Sequence, residues 1–253
     1  MSRIISRRRL IVSGITAVAG ITGLAEAIRL ADRYGLIPPD HGGLYGVGET
    51  LTYSSQRLLM GRQSLAREFS RSDISTVVPV NGKPTDHNTY QRLLADGFRD
   101  WRLSVDGLVA RPSAFSLADL RGYPSHTQIT HQACEEGWSF IAEWTGARLS
   151  DLLDLVGVNS RARYVVFFPF DDWWESIDMA DALHPQTYLA YAMNGRDLPI
   201  PHGAPVRLRV ARQLGYKNIK YLSRVTVTDT LEPFGKGLGG ASSESGYSWW
   251  AGI

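Results

Sequence analysis

His131-Gln132-Ala133-Cys134-Glu135-Glu136-Gly137-Trp138-Ser139 is the stretch around which this chain is organised. It holds the single cysteine of 253 residues, with a histidine, two carboxylates and a tryptophan close around it. A lone cysteine is most often a small buried hydrophobe, but an apolar core position is rarely followed directly by Glu-Glu. A buried thiol and a functional ligand therefore both stand as readings. Residues 127–133 alternate in polarity and predict a strand that ends at Cys134. On such a strand His131 points to the face opposite the sulfur, which weighs against a Cys–His thiol hydrolase. Zinc fares no better: a structural site wants four Cys/His ligands at short spacing, and His126, His131, His184 and His202 are scattered.

Outward from that stretch, composition sets the class. A hydrophobic content of 43% is enough for a folded globular core. The net charge of +2 owes much to Arg3, Arg7, Arg8 and Arg9, so the body is near neutral and shows no basic stripe for nucleic acid. Arg7-Arg8-Arg9 is followed by an uncharged run over residues 10–25, then by the small-x-small triplet Ala25-Glu26-Ala27. Residues 1–27 thus read as a signal peptide resembling the twin-arginine export type. The alternative is an N-terminal anchor running on to Leu30. Both place the body outside the cytoplasm, in the periplasm or otherwise exported. There a single cysteine cannot form an internal disulfide, and ligation to a metal would give the thiol both protection and a role.

Residues 28–76 show no clean period and read as a linker or peripheral arm; the body is expected over residues 77–253. Trp101 to Val109 reads as strand, Asp106-Gly107 turn, strand. Ser116-Leu117-Ala118-Asp119 is a capping-box start to a short helix. Residues 150–156 predict a helix stopped by Gly157, and residues 164–168 a fully buried strand. Strands follow over 188–193 (into an Asn194-Gly195 turn), 206–210 and 221–228. Short helices between unevenly spaced strands, without a βαβ rhythm, predict an α+β domain with mixed β-sheets. The tail Tyr247-Ser248-Trp249-Trp250 is too aromatic for a free end and is expected to dock on the body.

A third reading of Cys134 is a soft ligand to the metal of a bulky anionic cofactor. Such a cofactor needs cations and amide donors, which His202-Gly203-Ala204-Pro205-Val206-Arg207 and Gly215-Tyr216-Lys217-Asn218-Ile219-Lys220 could provide. Gly203 permits close backbone approach, Arg207 can grip a phosphate bidentately, and Lys220 adds a point charge.

These segments, with Trp144-Thr145-Gly146, Leu152-Leu153 and residues 164–168, resemble in order and spacing the sulfite oxidase-type molybdopterin-dependent oxidoreductases. The resemblance runs from about Asn81 to the C-terminus. Cys134-x-Glu136-x-Trp138-Ser139 looks closer to the catalytic subunit of periplasmic methionine sulfoxide reductases than to sulfite oxidases proper. The resemblance implies a Mo-molybdopterin cofactor with Cys134 as its molybdenum thiolate, and Glu136 as a carboxylate near the metal. It further implies cofactor contacts at Asn81 (with Asn88 as the rival register), Pro169, His202, Arg207, Asn218, Ile219 and Lys220. Pro169 stands where the reductases have threonine, and His202 where they have asparagine. The segment Asp171-Asp172-Trp173-Trp174-Glu175-Ser176 is shorter than its counterpart and is expected at the substrate mouth. Trp138, Trp173 and Trp174 are candidate pocket walls. The implied activity is two-electron oxygen-atom transfer on a small substrate, with S-oxide reduction ahead of sulfite oxidase-like dehydrogenation or a non-catalytic binding module. With no cysteine cluster and no haem-attachment motif, electrons must pass to or from a separate partner, a membrane haem protein or a cytochrome. Only 23 residues follow Thr230, too few for the dimerisation domain of sulfite oxidases, so a monomeric catalytic subunit is expected.

Overall fold

The computed structural model describes residues 23, 25–32, 34–43, 46–60 and 64–253. The paired arginines and most of the uncharged run lie outside them; Ala25-Glu26-Ala27 begins a helical stretch over 25–32.

Two five-stranded sheets form the body, as the uneven strand spacing predicts. The first has the order β2-β1-β10-β5-β6, from β1 (Arg102–Gly107), β2 (Ser113–Ser116), β5 (Tyr164–Pro169), β6 (Glu175–Asp178) and β10 (Leu222–Thr228). It is mixed: β1 runs parallel to β10 and the other pairs are antiparallel. The second runs β3-β4-β7-β8, from β3 (His126–Ala133), β4 (Ser139–Arg148), β7 (Thr187–Met193) and β8 (Arg196–Asp197), with β9 (Arg207–Val210) also paired to β7. The main core holds Trp101, Leu103, Leu153, Phe167, Leu189 and Leu208, contributed by both sheets and the helix of residues 149–156.

Local signals produce their elements. Ser116 Oγ accepts from the Asp119 backbone N–H (3.0 Å) and the Ser116 N–H donates to Asp119 Oδ2 (2.8 Å), closing the box that starts α3 (Leu117–Gly122). In α4 (Leu149–Val156), Leu152, Leu153 and Val156 are buried, and Gly157 ends the helix at φ +70°. Asn194 and Gly195, both at positive φ, turn β7 into β8.

Two expectations fail. Asp106-Gly107 is not a hairpin turn. It ends β1, with Gly107 beside Val227 of β10, and a Cβ there would lie 2.1 Å from the Val227 carbonyl oxygen. The glycine serves close strand approach, and the chain turns later, before β2. The arm likewise contains an element that polarity does not reveal: α1 (Val47–Met60), which buries Tyr53 against Trp249 and Trp250.

That contact explains the continuous apolar run of β5. Val165 and Phe167 face the main core, while Tyr164, Val166 and Phe168 face a second cluster built from Tyr53, Leu231, Trp249 and Trp250. The tail docks as expected, and polar ties fix it. Trp250 Nε1 donates to Asp181 Oδ2 (3.0 Å), and Asp181 is also paired with Arg57 and Arg212. Beneath Trp249, Lys217 Nζ and Glu175 Oε2 form a fully buried ion pair (2.6 Å), and Glu175 Oε1 accepts from the Ser242 N–H (2.8 Å).

Candidate active site

β3 buries alternate residues, but these are Gln128, Thr130 and Gln132, so its inner face is polar. Cys134 continues that face beyond the strand end and His131 does not. The next residues turn the chain into β4: the Cys134 N–H donates to the Trp138 carbonyl (2.9 Å) and the Gly137 N–H to the Cys134 carbonyl (3.1 Å). Gly137 sits at φ +90°, where a side chain would be strained. Glu135-Glu136 is therefore the tip of a hairpin, which is how two carboxylates follow a buried thiol.

Cys134 Sγ faces a cavity of about 340 Å³. Asn81 Nδ2 donates to it (3.4 Å), and Glu135 Oε2 and Glu136 Oε2 lie 3.4 and 3.8 Å away. Trp138 Nε1 donates to Glu136 Oε2 (2.8 Å) and fixes that carboxylate beside the sulfur. Burial pushes the thiol pKa up, opposed by the Glu136 backbone N–H and the Asn81 amide.

The far side of the cavity comes from the second half of the chain. Gly215 lies against the thiol-bearing turn, where a Cβ would be 3.3 Å from the Ala133 carbonyl oxygen and 3.4 Å from Cys134 Cα. Gly203, at φ +106°, lies so close to Lys220 that a Cβ would meet the lysine Cβ at 2.7 Å. Lys220 Nζ is thereby held over the Asn81 carbonyl (2.7 Å) and the Pro201 carbonyl (3.2 Å). Arg207 donates to the His202 carbonyl (3.0 Å) and the Asn218 carbonyl (2.8 Å), with its guanidinium over Trp144. Arg209, on the same face of β9, donates to Asn218 Oδ1 (2.8 Å) and the His131 carbonyl (2.7 Å).

These cations are held by neutral groups. Burial lowers Arg207 to about 10, and burial with the charge of Arg207 lowers Arg209 to about 9 and Lys220 to about 8. Burial and the same charges hold His202 down at about 4, so it is neutral at pH 7. Among the described residues, Arg207 Nε, Gln132 Oε1 and Tyr221 OH are buried at this cavity without a hydrogen-bond partner. A thiol, crowded cations and unmatched polar atoms around one cavity suit a polyanionic ligand with a soft metal. Mo-molybdopterin, with its phosphate and its sulfur-bound metal, fits that donor set.

The cavity brings together Asn81, Cys134, Glu136, Pro169, His202, Arg207, Asn218, Ile219 and Lys220. Asn88 is not among its lining residues; it opens α2 (Asn88–Ala95). Trp138 and Trp173 line it, whereas Trp174 packs on Phe168 and Phe234 in the second cluster. Two roles differ from the expected ones. Arg207 does not present a free fork, since carbonyls already engage both terminal nitrogens. The Asn218 side chain is engaged inward, accepting from Arg209 and the Val210 N–H (2.7 Å) and donating to the Gln213 and Leu214 carbonyls. Asp171 lines the cavity beside Trp173, from the segment expected at the mouth, whereas Lys83, Tyr216 and Tyr247 line it without having been singled out as site residues in the sequence. Tyr247 could have been: a docked aromatic tail has to dock somewhere.

A model of the oxidoreductase molybdopterin binding domain matches residues 90–233. The chain belongs to that family: it is a molybdopterin-dependent oxidoreductase of sulfite oxidase-type fold, and its cofactor is Mo-molybdopterin. Among its relatives is a chain of Azospira oryzae, provisionally named protein-methionine-sulfoxide reductase subunit YedZ1. It is 42% identical over 197 residues, covering 78% of this chain and 71% of that one. The protein-methionine-sulfoxide reductase catalytic subunit MsrP of Ralstonia nicotianae is 34% identical over 149 residues, 53% of this chain and 45% of its own length. Among solved structures, the sulfane dehydrogenase SoxCD of Paracoccus pantotrophus shares the fold at a TM-score of 0.51 and 24% identity, over 58% of this chain and 40% of that one. The chain thus spans less than half the length of MsrP and of the SoxCD chain.

Proposed function

We propose that this chain reduces S-oxides, with methionine sulfoxide as the substrate class, on a molybdopterin held through Cys134. The observation that carries the reading is the chain's single thiol facing a cavity whose buried cations rest on neutral groups. The names of the two relatives supply the substrate class.

When bound, the cofactor supplies two-electron oxygen-atom transfer at its metal. The chain's residues bind, orient and shield. Cys134 is the protein thiolate, and the Asn81 amide holds Sγ in place. Glu136, locked by the Trp138 indole, presents Oε2 beside the sulfur, where it relays a proton or sets the local field. Lys220 and Arg207 neutralise the anionic end of the cofactor, with Asn218 holding the loop around them. His202, neutral at pH 7, offers one N–H. Pro169 and Ile219 are walls, and Pro169 brings no hydroxyl. Trp173 and Tyr247, both partly exposed, rim the opening and meet the substrate. Electrons come from a separate partner, a membrane haem protein or a cytochrome, and the chain works as a monomeric exported subunit.

The test is protein purified from a host that makes the cofactor. About one molybdenum per chain and dye-driven reduction of methionine sulfoxide are expected. Metal-loaded protein that oxidises sulfite and ignores sulfoxide would overturn the substrate class. Folded protein without molybdenum would overturn the reading as a whole. Activity confined to the cytoplasmic fraction of cells would overturn export.

A further inference from the structure

α1 faces two ways. Its inner side is tied to the body through buried Tyr53 and through Arg57, which pairs with Asp178 and Asp181. Its outer side carries Val47, Leu51, Leu58 and Leu59, at 76%, 62%, 68% and 86% exposure. The other exposed positions of the helix are Gly48, Thr52 and Ser55, so this outer face bears no charge at all. Single exposed leucines need no explanation. An uncharged apolar face spanning a 14-residue helix does, because a water-facing helix side is normally charged or polar.

The hydroxyls on that face point the same way. Thr52 Oγ1 donates to the Gly48 carbonyl (3.0 Å) and Ser55 Oγ to the Leu51 carbonyl (2.8 Å), each one turn back. Each hydroxyl hydrogen is thus used within the helix and needs no water to accept it. The face is equipped to leave water without stranding a donor.

We propose that α1 lays this face on the surface of a lipid bilayer. Two features favour lipid over another protein surface. Residues 28–76 hold six arginines against five carboxylates, so the arm is nearly neutral at +1 and brings no charge pattern for a complementary protein surface. An uncharged apolar face on such an arm fits the acyl chains just beneath the headgroups. The face is also continuous in sequence with the uncharged run of residues 10–25, and exposed Ile28, Leu30 and Tyr34 lie between the two. The inference does not depend on the redox reading.

Hydrogen exchange on the cofactor-loaded full chain, its mass confirming residues 1–253, tests it. Vesicles of phosphatidylethanolamine and phosphatidylglycerol should slow amide exchange over residues 47–59 and leave the strands unchanged. Added salt should leave the effect in place, since the face carries no charge to be screened. The double variant Leu51→Glu, Leu58→Glu should lose this protection while keeping its molybdenum content and the exchange pattern of the body, since both positions are exposed. Chain that floats with vesicles while α1 exchanges as in solution is held by its N-terminal segment alone, which overturns the proposal. Protection that grows with protein concentration in the absence of lipid marks a second copy as the occupant and overturns it equally. Protection that survives the double substitution does the same.

Discussion

Cys134 is held by its surroundings more than by its own packing. Asn81 reaches it across 53 positions, and the carboxylates that follow it sit on a hairpin tip. Cys134→Ser keeps a small polar group at the end of β3 and should cost no more than about 1 kcal/mol of stability. It should still take the molybdenum content from about one per chain to near zero, since a hydroxyl is a poor ligand for a soft site. Metal analysis beside a thermal melt checks both halves. A second single-residue prediction lies outside the cavity. Burial, and then the charge of Arg212, hold His184 down at about 4 from its ordinary 6.5, with Asp181 pulling the other way. Its two ring nitrogens meet the Ser64 carbonyl and the Gln186 N–H, which suits the neutral ring. The unfolded chain takes up a proton at this histidine below 6.5 and the folded chain only near 4. Stability is therefore full above 6.5 and falls by up to about 3 kcal/mol as the pH drops through that window. His202 titrates in the same range, so the comparison is with His184→Asn, whose urea midpoint should fall less steeply from pH 7 to pH 4.

At the level of elements, two glycines let the second half of the chain close on the first. Gly215 lays its turn against Cys134, and Gly203 lets the His202 segment pass beside Lys220. Gly203→Ala adds a Cβ that meets the Lys220 Cβ at 2.7 Å, at a backbone φ of +106° that alanine rarely adopts. The variant should lose about 2 kcal/mol and displace the lysine from the Asn81 carbonyl. Weaker cofactor retention than wild type, read as faster molybdenum loss on dilution, is the expected companion effect. The ion pair of Lys217 and Glu175 makes a sharper case. Both side chains are fully buried, and Glu175→Gln removes the contacting counter-charge, leaving the ammonium neutral partners such as the Ser176 carbonyl and the Trp249 ring. A loss of about 3–5 kcal/mol in chemical denaturation is expected. A loss below about 1 kcal/mol would show that the pair does not hold the Gly215–Lys217 turn in place.

The whole molecule depends on its two ends covering one strand. Trp249 and Trp250 from the tail and Tyr53 from α1 seal the face of β5 turned away from the main core. Trp249→Ala opens that seal, and a cost of about 3–5 kcal/mol is expected from the lost burial. Because Trp249 also lies over the Lys217 ammonium and donates to Ser176 Oγ (2.9 Å), the Glu175→Gln and Trp249→Ala losses should fall short of additive. Denaturation of the double variant measures the coupling.

The sequence by itself determined what depends on neighbours along the chain. The capping box at Ser116, the Gly157 stop, the Asn194-Gly195 turn and the end of β3 at Cys134 each need a few consecutive residues, and each forms. The spacing of the cysteine and basic segments also carried the family. Only the tertiary structure decided what depends on which face meets which. α1 escaped the sequence because its apolar positions point outward while a tyrosine and an arginine point in, so hydrophobicity does not mark its buried side. Asp106-Gly107 read as a turn because the need of Gly107 for closeness to Val227, 120 positions away, leaves no local trace. Arg209 was invisible for the same reason, since a buried arginine looks like a surface one until its carbonyl partners are found. The cavity itself is of this kind. Asn81 and Lys220, 139 positions apart, meet over the sulfur through contacts that no local spacing specifies.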